Sequence, residues 1–116
     1  MADSFHDRTA QELKRGVLQV AVLALLRRRA YGYDLLRVLS DRGFTAEEGT
    51  LYPVLRRLET EGLLTSEWDT SGSRPRKYYE STDTGRAALE ALAAEWSRVD
   101  ASLRSVLAVT ETGHAD

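Results

Sequence analysis

Hydrophobic positions recur along this chain at helical spacing in four stretches and at strand spacing in two. The helical stretches are residues 10–27, 32–42, about 47–61 and 83–110. Apolar residues three or four apart place one side of each stretch against a core. The strand-like stretches, residues 64–69 and 76–81, flank a turn segment rich in Ser, Gly and Pro. We therefore expect a mainly α-helical protein with one small β-hairpin.

Residues that start or bend helices refine these limits. Two Thr-x-x-Glu sequences, at residues 9–12 and 45–48, fit capping boxes that would open the first and third helices. Pro53 bends the third helix if that helix begins at Glu47, and is tolerated if it begins nearer Thr50. The sequence does not decide between these two starts of the third helix.

The third helix has an unusual polar side. Its apolar face is formed by Leu51, Val54, Leu55 and Leu58. Its other faces carry a hydroxyl, a phenol and two guanidinium groups, from Thr50, Tyr52, Arg56 and Arg57. These groups suit phosphates and base edges, since Arg can donate two parallel hydrogen bonds to either. The second helix and a connection containing Gly43 precede it, which is a helix-turn-helix pattern. The alternative is a surface helix with ordinary solvated arginines.

The hairpin that follows carries basic residues near its tip, namely Arg74, Arg76 and Lys77. Tyr78 and Tyr79 should point to opposite faces, one of them into the core. After a helix suited to DNA, we expect the basic tip to contact flanking phosphates or the minor groove. The alternative is a charged tip that serves solubility alone.

The last helix, capped by Thr82 or Thr84, carries a heptad-like seam. Its members step by three and four residues: Leu89, Leu92, Trp96, Val99, Leu103 and Val106. Such a seam needs a partner helix, and we expect the same helix of a second copy, with the first helix beside it. The seam therefore predicts a homodimer.

Trp96 is large for a seam position. Two copies near a dimer axis would leave a gap lined by indoles, which suits flat, apolar or cationic ligands, and Asp100 could offset a positive charge. We expect an effector site here. The alternative is that Trp96 simply fills the dimer core.

Composition narrows the function classes. A chain of 116 residues with 42% hydrophobic and 29% charged residues fits one globular domain, and its net charge of -2 is not that of a protein coating nucleic acid. There is no cysteine, and both histidines, His6 and His114, lie in expected tails. With no Gly-rich phosphate loop and no spaced metal ligands, we expect no enzyme, no metal and no cofactor. No apolar run could span a bilayer and no signal-peptide pattern is present, so cytoplasmic residence is expected.

Several segments together resemble the PadR family of bacterial transcription regulators, in its short form with one C-terminal helix. They are residues 31–35, 49–53, 55–59, 61–64, 76–79 and 82–85. The resemblance implies a winged-helix homodimer that binds a pseudo-palindromic operator in double-stranded DNA. It further implies repression of a transporter or stress operon, with release by a small effector. Residues 96–100 also resemble the matching helix of a multidrug-responsive member.

Two positions depart from the family pattern. Ser81 stands where the family usually has leucine, which predicts a less firmly seated hairpin, and Glu47-Glu48 replaces a usual Ser-Pro. The alternatives to an effector-released repressor are a regulator without a ligand and a protein-interaction module.

These expectations divide the chain into four parts. They are a flexible N-terminus (1–8), a winged helix-turn-helix domain (9–82), a dimerisation helix (83–110) and a flexible tail (111–116).

Overall fold

The computed structural model describes residues 2–112, with side chains for residues 4–109. In this range the chain forms four helices and a three-stranded antiparallel sheet. The elements are α1 (Ala2–Leu25), β1 (Ala30–Tyr31), α2 (Gly32–Asp41), α3 (Glu48–Thr60), β2 (Leu64–Asp69), β3 (Arg76–Ser81) and α4 (Asp83–Thr112). The mainly helical fold with a small sheet is confirmed. The tail expected at 111–116 lies outside the described residues, apart from the end of α4.

The first helix is longer than its pattern suggested. It begins at Ala2 rather than near Ala10, so Thr9 lies inside the helix and caps nothing. The stretch before Thr9 contains no Gly or Pro, so nothing in it stops the helix from extending. The segment expected to be flexible, 1–8, is thus helical from residue 2 onward, and its flexibility stays a prediction.

The start of α3 also corrects a prediction. Its N-cap residue is Glu47, in extended conformation and without a side-chain cap, so the expected capping box at 45–48 does not form. The helix begins at Glu48, which places Pro53 beyond the first turn. Proline lacks the amide that would bond to the carbonyl of Gly49, and Gly49 is exposed, so water can satisfy that carbonyl.

Two glycines end α2 and α3. Gly43 and Gly62 have φ of 85° and 81°, the left-handed region. The amides of the residues that follow them donate to carbonyls in the last turn: Phe44 N to Leu39 O, and Leu63 N to Leu58 O, both at 2.8 Å. These are Schellman motifs, and the apolar residue after each glycine folds back on the helix.

The sheet has the order β1-β3-β2. Strands β2 and β3 form the predicted hairpin, which we call the wing, with Ser66 opposite Tyr79 and Trp68 opposite Lys77. The short strand β1 was not predicted, because two residues cannot show a period. It pairs Ala30 with Tyr79 and so joins the wing to the helices.

The core lies where α1, α2, α3 and the wing meet. Its buried members are Leu18, Val22, Leu23, Leu26, Leu35, Leu39, Leu51, Val54, Leu55, Leu58, Leu64 and Tyr79. Ser81 is buried beside them, its amide donating to Leu26 O at 2.8 Å and its hydroxyl to Leu23 O at 3.2 Å. The serine hydroxyl bond replaces the apolar contact that a leucine would make, whereas the amide bond is open to either residue, so a less firmly seated wing stays a prediction.

The junction between the wing and α4 is tightly packed. Thr82 caps α4: its hydroxyl accepts from Gly85 N at 3.0 Å and donates to Gly62 O at 2.7 Å. A β-carbon at Gly85 would lie 2.1 Å from the carbonyl oxygen of Leu63. Only glycine therefore lets α4 leave the sheet this close to the end of α3.

Helix α4 packs on α1 near the core and then extends away, giving a molecule 63 Å long in its main direction. Leu89 is partly buried against the core, whereas the rest of the seam is exposed. Within residues 2–112, every helix is too short or too polar to cross a membrane.

Candidate nucleic-acid interface

Helix α3 buries its apolar face and presents the opposite one to solvent. Leu51, Val54, Leu55 and Leu58 are buried, as the period predicted. The most distant face from the core carries Gly49, Pro53, Arg56 and Thr60, at spacings of four, three and four residues. Arg56 is the one ionisable side chain on that face. The structure thus places Arg56 at the centre of the exposed surface of α3.

Tyr52 and Arg56 line a groove between α3 and the wing. The groove has a volume of about 460 Å³, and Tyr33, Trp68 and Lys77 also line it. Among the described residues, no carboxylate lies within ion-pair distance of the Arg56 guanidinium. Its donors are therefore available to an external acceptor.

Tyr52 is partly buried at the edge of this groove. Burial raises the pKa of its phenol above the ordinary value of 10.0, and the negative charge of Glu48 adds to the effect. The phenol therefore stays neutral at physiological pH. A neutral phenol can donate a hydrogen bond to a phosphate oxygen.

Thr50 and Arg57 lie on the other flank of α3. Arg57 Nε donates to Glu61 Oε2 at 2.9 Å, an exposed pair one helical turn apart. Thr50 lines a cleft of about 330 Å³ with Lys14 and Arg15 of α1. Lys14 and Arg15 were not predicted from the sequence as part of this surface. Their position as adjacent cations just before the buried half of α1 could have suggested it.

The tip of the wing is basic, but it also carries the carboxylate of Asp69, which is held by hydrogen bonds. Arg74 is exposed, and the Arg76 guanidinium lies 5.3 Å from the centre of the Tyr31 ring. Asp69 Oδ1 accepts from Ser71 Oγ at 2.6 Å and from Ser71 N at 3.0 Å. These hydrogen bonds lower the pKa of Asp69 and hold the turn.

An aromatic and cationic cluster on the outer face of the wing was missed by the sequence reading. The Arg29 guanidinium lies 4.1 Å from the centre of the Tyr78 ring and 3.4 Å from Glu67. Tyr31 lies beside Tyr78, with ring centres 5.8 Å apart. Tyr79 is buried and Tyr78 is not, which confirms that the two tyrosines occupy opposite faces.

The effector candidates lie far from this surface along the molecule. Trp96 is 52% exposed and borders an apolar groove of about 420 Å³ against α1, formed with Leu13, Gly16, Val17, Val20 and Ala21. Asp100 accepts from Arg104 Nε at 3.2 Å, so its charge is already paired. Glu12 is the carboxylate that lines the groove itself. In the described part of the chain, no cluster of three or more His, Asp or Glu side chains could hold a metal ion.

Known proteins resemble this chain in both sequence and fold. A model of the transcriptional regulator PadR-like family matches residues 22–91, which include α2, α3, the wing and the start of α4. The crystal structure of a PadR family transcriptional regulator from Eggerthella lenta superposes with a TM-score of 0.82 at 45% identity, covering 91% of this chain and 95% of that one.

Two curated proteins are also similar to this chain in sequence. Transcriptional regulator Rv3488 of Mycobacterium tuberculosis is 48% identical over 59 residues, which are 51% of this chain and 55% of that protein. The chain therefore matches only about half the length of this relative. Uncharacterized protein X of Lysinibacillus sphaericus is 37% identical over 93 residues, covering 76% of this chain and 85% of that protein.

Proposed function

This chain belongs to the PadR-like family of transcriptional regulators, and from that premise we propose that it binds operator DNA as a homodimer and represses transcription. It is a regulator, not an enzyme. The observation that carries the proposal is the exposed, unpaired Arg56 at the centre of the outer face of α3, with the basic wing beside it.

The dimensions of α3 suit a major groove. Its 13 residues span about 20 Å at about 1.5 Å per residue, and a major groove about 12 Å wide admits one helix. Arg56 would donate two hydrogen bonds to a guanine edge. Tyr52, Thr50 and Arg57, on the flanks, would contact phosphates, while Arg74 and Arg76 would reach the flanking backbone.

The exposed seam of α4 supports the homodimer. Trp96, Val99, Leu103 and Val106 are each about half exposed in the single chain, at 52%, 49%, 53% and 59%. A contiguous apolar strip of this length on an isolated chain marks an interaction surface. A twofold dimer would present two copies of α3 to half-sites about one helical turn, or 10 bp, apart.

The test compares base reading with phosphate contact. Operator fragments are selected from the host genome, and binding to operator and scrambled duplex is titrated with salt. We expect Arg56→Ala to cost about 1–3 kcal/mol on the operator, concentrated at one base position, with little loss on scrambled DNA. Arg57→Ala is the matched control, with a smaller and uniform loss, because Glu61 already engages that guanidinium. Equal loss from Arg56→Ala on both duplexes would remove Arg56 from base reading.

We further propose that a planar or cationic effector releases the DNA by binding near Trp96. The apolar groove between α1 and α4 supports this, and Glu12 offers a negative charge beside it. The controlled operon would then encode a transporter or a detoxification function. An effector regulates only if it binds the DNA-competent and incompetent dimers unequally.

Fluorescence quenching by planar cationic dyes tests the effector site. Trp68 also fluoresces, so Trp96→Ala is the necessary control. Quenching that survives in Trp96→Ala, or no quenching in the dimer, would favour the second candidate, a regulator without a ligand in which Trp96 fills the dimer core. A protein-interaction module is disfavoured by the basic outer face of α3.

A further inference from the structure

Lys77 lies on a different side of the wing from the arginine next to it. Along β3 alternate residues share a face, so Lys77 shares its face with the buried Tyr79, and Arg76 shares the opposite face with Tyr78. Trp68 is the cross-strand partner of Lys77. The pleat therefore directs Lys77 toward α3, whereas Arg76 points to the outer face.

The ammonium group of Lys77 has three neighbours on that inner side. Its Nζ lies 5.7 Å from the centre of the Trp68 ring, 5.5 Å from that of Tyr79, and 4.0 Å from Glu59 Oε1. The Lys77 and Glu59 side chains are each 35% exposed. By contrast, Arg74 forms no ion pair and no ring contact with the side chains described at residues 4–109.

Glu59 connects α3 to both strands of the wing. One of its carboxylate oxygens accepts a hydrogen bond from Ser66 Oγ on β2, and the other faces Lys77 on β3. Burial raises the pKa of Tyr79, and the charge of Glu59 adds to that shift, which agrees with a carboxylate beside the inner face of the sheet. Glu59 is thus the polar tie between the last turn of α3 and the wing.

We propose that Glu59, Ser66 and Lys77, here called the Glu59 bridge, position the wing relative to α3, and that Lys77 makes no phosphate contact. This inference rests on the proposed DNA binding. It changes the role that the sequence suggests for Lys77, from a phosphate contact to a positioning residue. Arg74, which has no such contact, and Arg76, which lies over Tyr31 on the outer face but pairs with no carboxylate among residues 4–109, remain the cations of the wing available to DNA.

Physical reasons favour this division. A cation between two aromatic rings and a carboxylate is already stabilised, so moving it to a phosphate would forfeit those contacts. Leaving it in place fixes the distance between two DNA-contacting elements, and small errors in such a distance reduce binding. Glu59 also cancels a positive charge that would otherwise strengthen binding to any duplex.

Salt-titrated binding of the whole 116-residue chain to the operator distinguishes the two roles. Arg74→Gln removes a phosphate contact and should lower the slope of log affinity against log salt by about one unit. Lys77→Gln should leave that slope unchanged while weakening operator binding about fivefold through the displaced wing. An equal fall of the slope in both variants would overturn the proposal.

Glu59→Gln provides the opposite test. The amide oxygen can still accept from Ser66, so the fold is retained, but the charge that holds Lys77 is gone. The released ammonium should raise the salt slope by about one unit and strengthen binding to scrambled duplex. In the double variant Glu59→Gln with Lys77→Gln, that gain should disappear. A slope unaffected by Glu59→Gln would count against the bridge.

A measurement without DNA separates this proposal from the proposed function. Hydrogen exchange of the β2 and β3 amides should become faster in Glu59→Gln but not in Glu61→Gln, the matched control, because the Glu61 carboxylate pairs with Arg57 of the same helix instead of a wing side chain. Identical exchange rates in Glu59→Gln and Glu61→Gln would contradict the proposed Glu59 bridge even if the protein binds DNA. Conversely, if Arg56→Ala and Arg74→Gln leave operator binding unchanged while exchange responds as stated, the proposed function fails and the bridge stands.

Discussion

Single residues carry much of the geometry of this small domain. Gly85 is the clearest case, because α4 begins so close to the loop after α3 that a methyl group has no room. Asp69 is another, since its carboxylate organises the wing turn through two hydrogen bonds from Ser71. Both residues act on the position of the wing rather than on DNA directly.

Replacing Gly85 with alanine should therefore destabilise the fold. The new β-carbon would lie 2.1 Å from Leu63 O, and the backbone must move to relieve this contact. We expect a loss of about 1–3 kcal/mol in the free energy of unfolding, measured by urea denaturation. Gly49→Ala is the control: its β-carbon meets nothing within 4 Å, so helix propensity should stabilise it by up to about 1 kcal/mol. Equal stability of the two variants would contradict the packing at Gly85.

Titration of Asp69 gives a second prediction at this scale. Its folded pKa is lowered from 3.8, so its contribution to the turn is present above that ordinary value and is lost as the pH falls through the folded pKa. Carboxyl NMR should show a midpoint below 3.8 in the native chain. Ser71→Ala removes the hydroxyl hydrogen bond and should move the midpoint upward. A midpoint that does not respond would exclude the Ser71 hydroxyl as the main cause.

At the scale of elements, helix ends determine how α2, α3 and the wing succeed one another. Gly62 ends α3 in the left-handed region, and its carbonyl accepts from the Thr82 hydroxyl at 2.7 Å. The turn at Gly62 therefore ends α3 and leads into β2. It also accepts the hydrogen bond from Thr82, the residue that caps α4.

Gly62→Ala tests this element boundary. A β-carbon there meets no atom within 4 Å, so the cost comes from the positive φ alone and should be about 1 kcal/mol. Asparagine tolerates the left-handed region better, so Gly62→Asn should lose less stability. Thermal unfolding of the three proteins measures this order. If asparagine were as costly as alanine, backbone conformation would not be the cause.

At the scale of the whole molecule, the long α4 leaves an apolar strip without a cover. The first part of the helix packs on the core through Ala88 and Leu89, and beyond it the seam residues face solvent. In the proposed dimer, this strip and the groove of α1 would be buried between two copies.

Leu103→Glu should separate the dimer into monomers. It puts a charge into the proposed interface, where desolvation is costly. Ser105→Glu changes an exposed residue on the other side of the same helix and should leave the dimer intact. Sedimentation at micromolar concentration measures both variants. A native chain that sediments as a monomer would remove the dimer, and with it the paired presentation of α3.

Local chemistry explains how far the sequence could predict this protein. The helix and strand periods placed α2, α3, the wing and the start of α4 close to their observed limits. Gly43 and Gly62 marked helix ends because the left-handed region favours glycine. The family pattern likewise resides in short contiguous segments. Properties of this kind depend on residues that are neighbours in the chain.

Other features were decided only when distant residues met. Strand β1 exists because β3 pairs with it, and Ser81 is held beside α1 by hydrogen bonds to the carbonyls of Leu23 and Leu26. Lys77 stood beside Arg76 in the sequence, yet the pleat turned it toward Glu59, a residue 18 positions earlier in the chain. The sequence by itself determined which residues are basic and which elements carry them. The tertiary structure decided which of those charges are already paired, because pairing depends on distances across the fold.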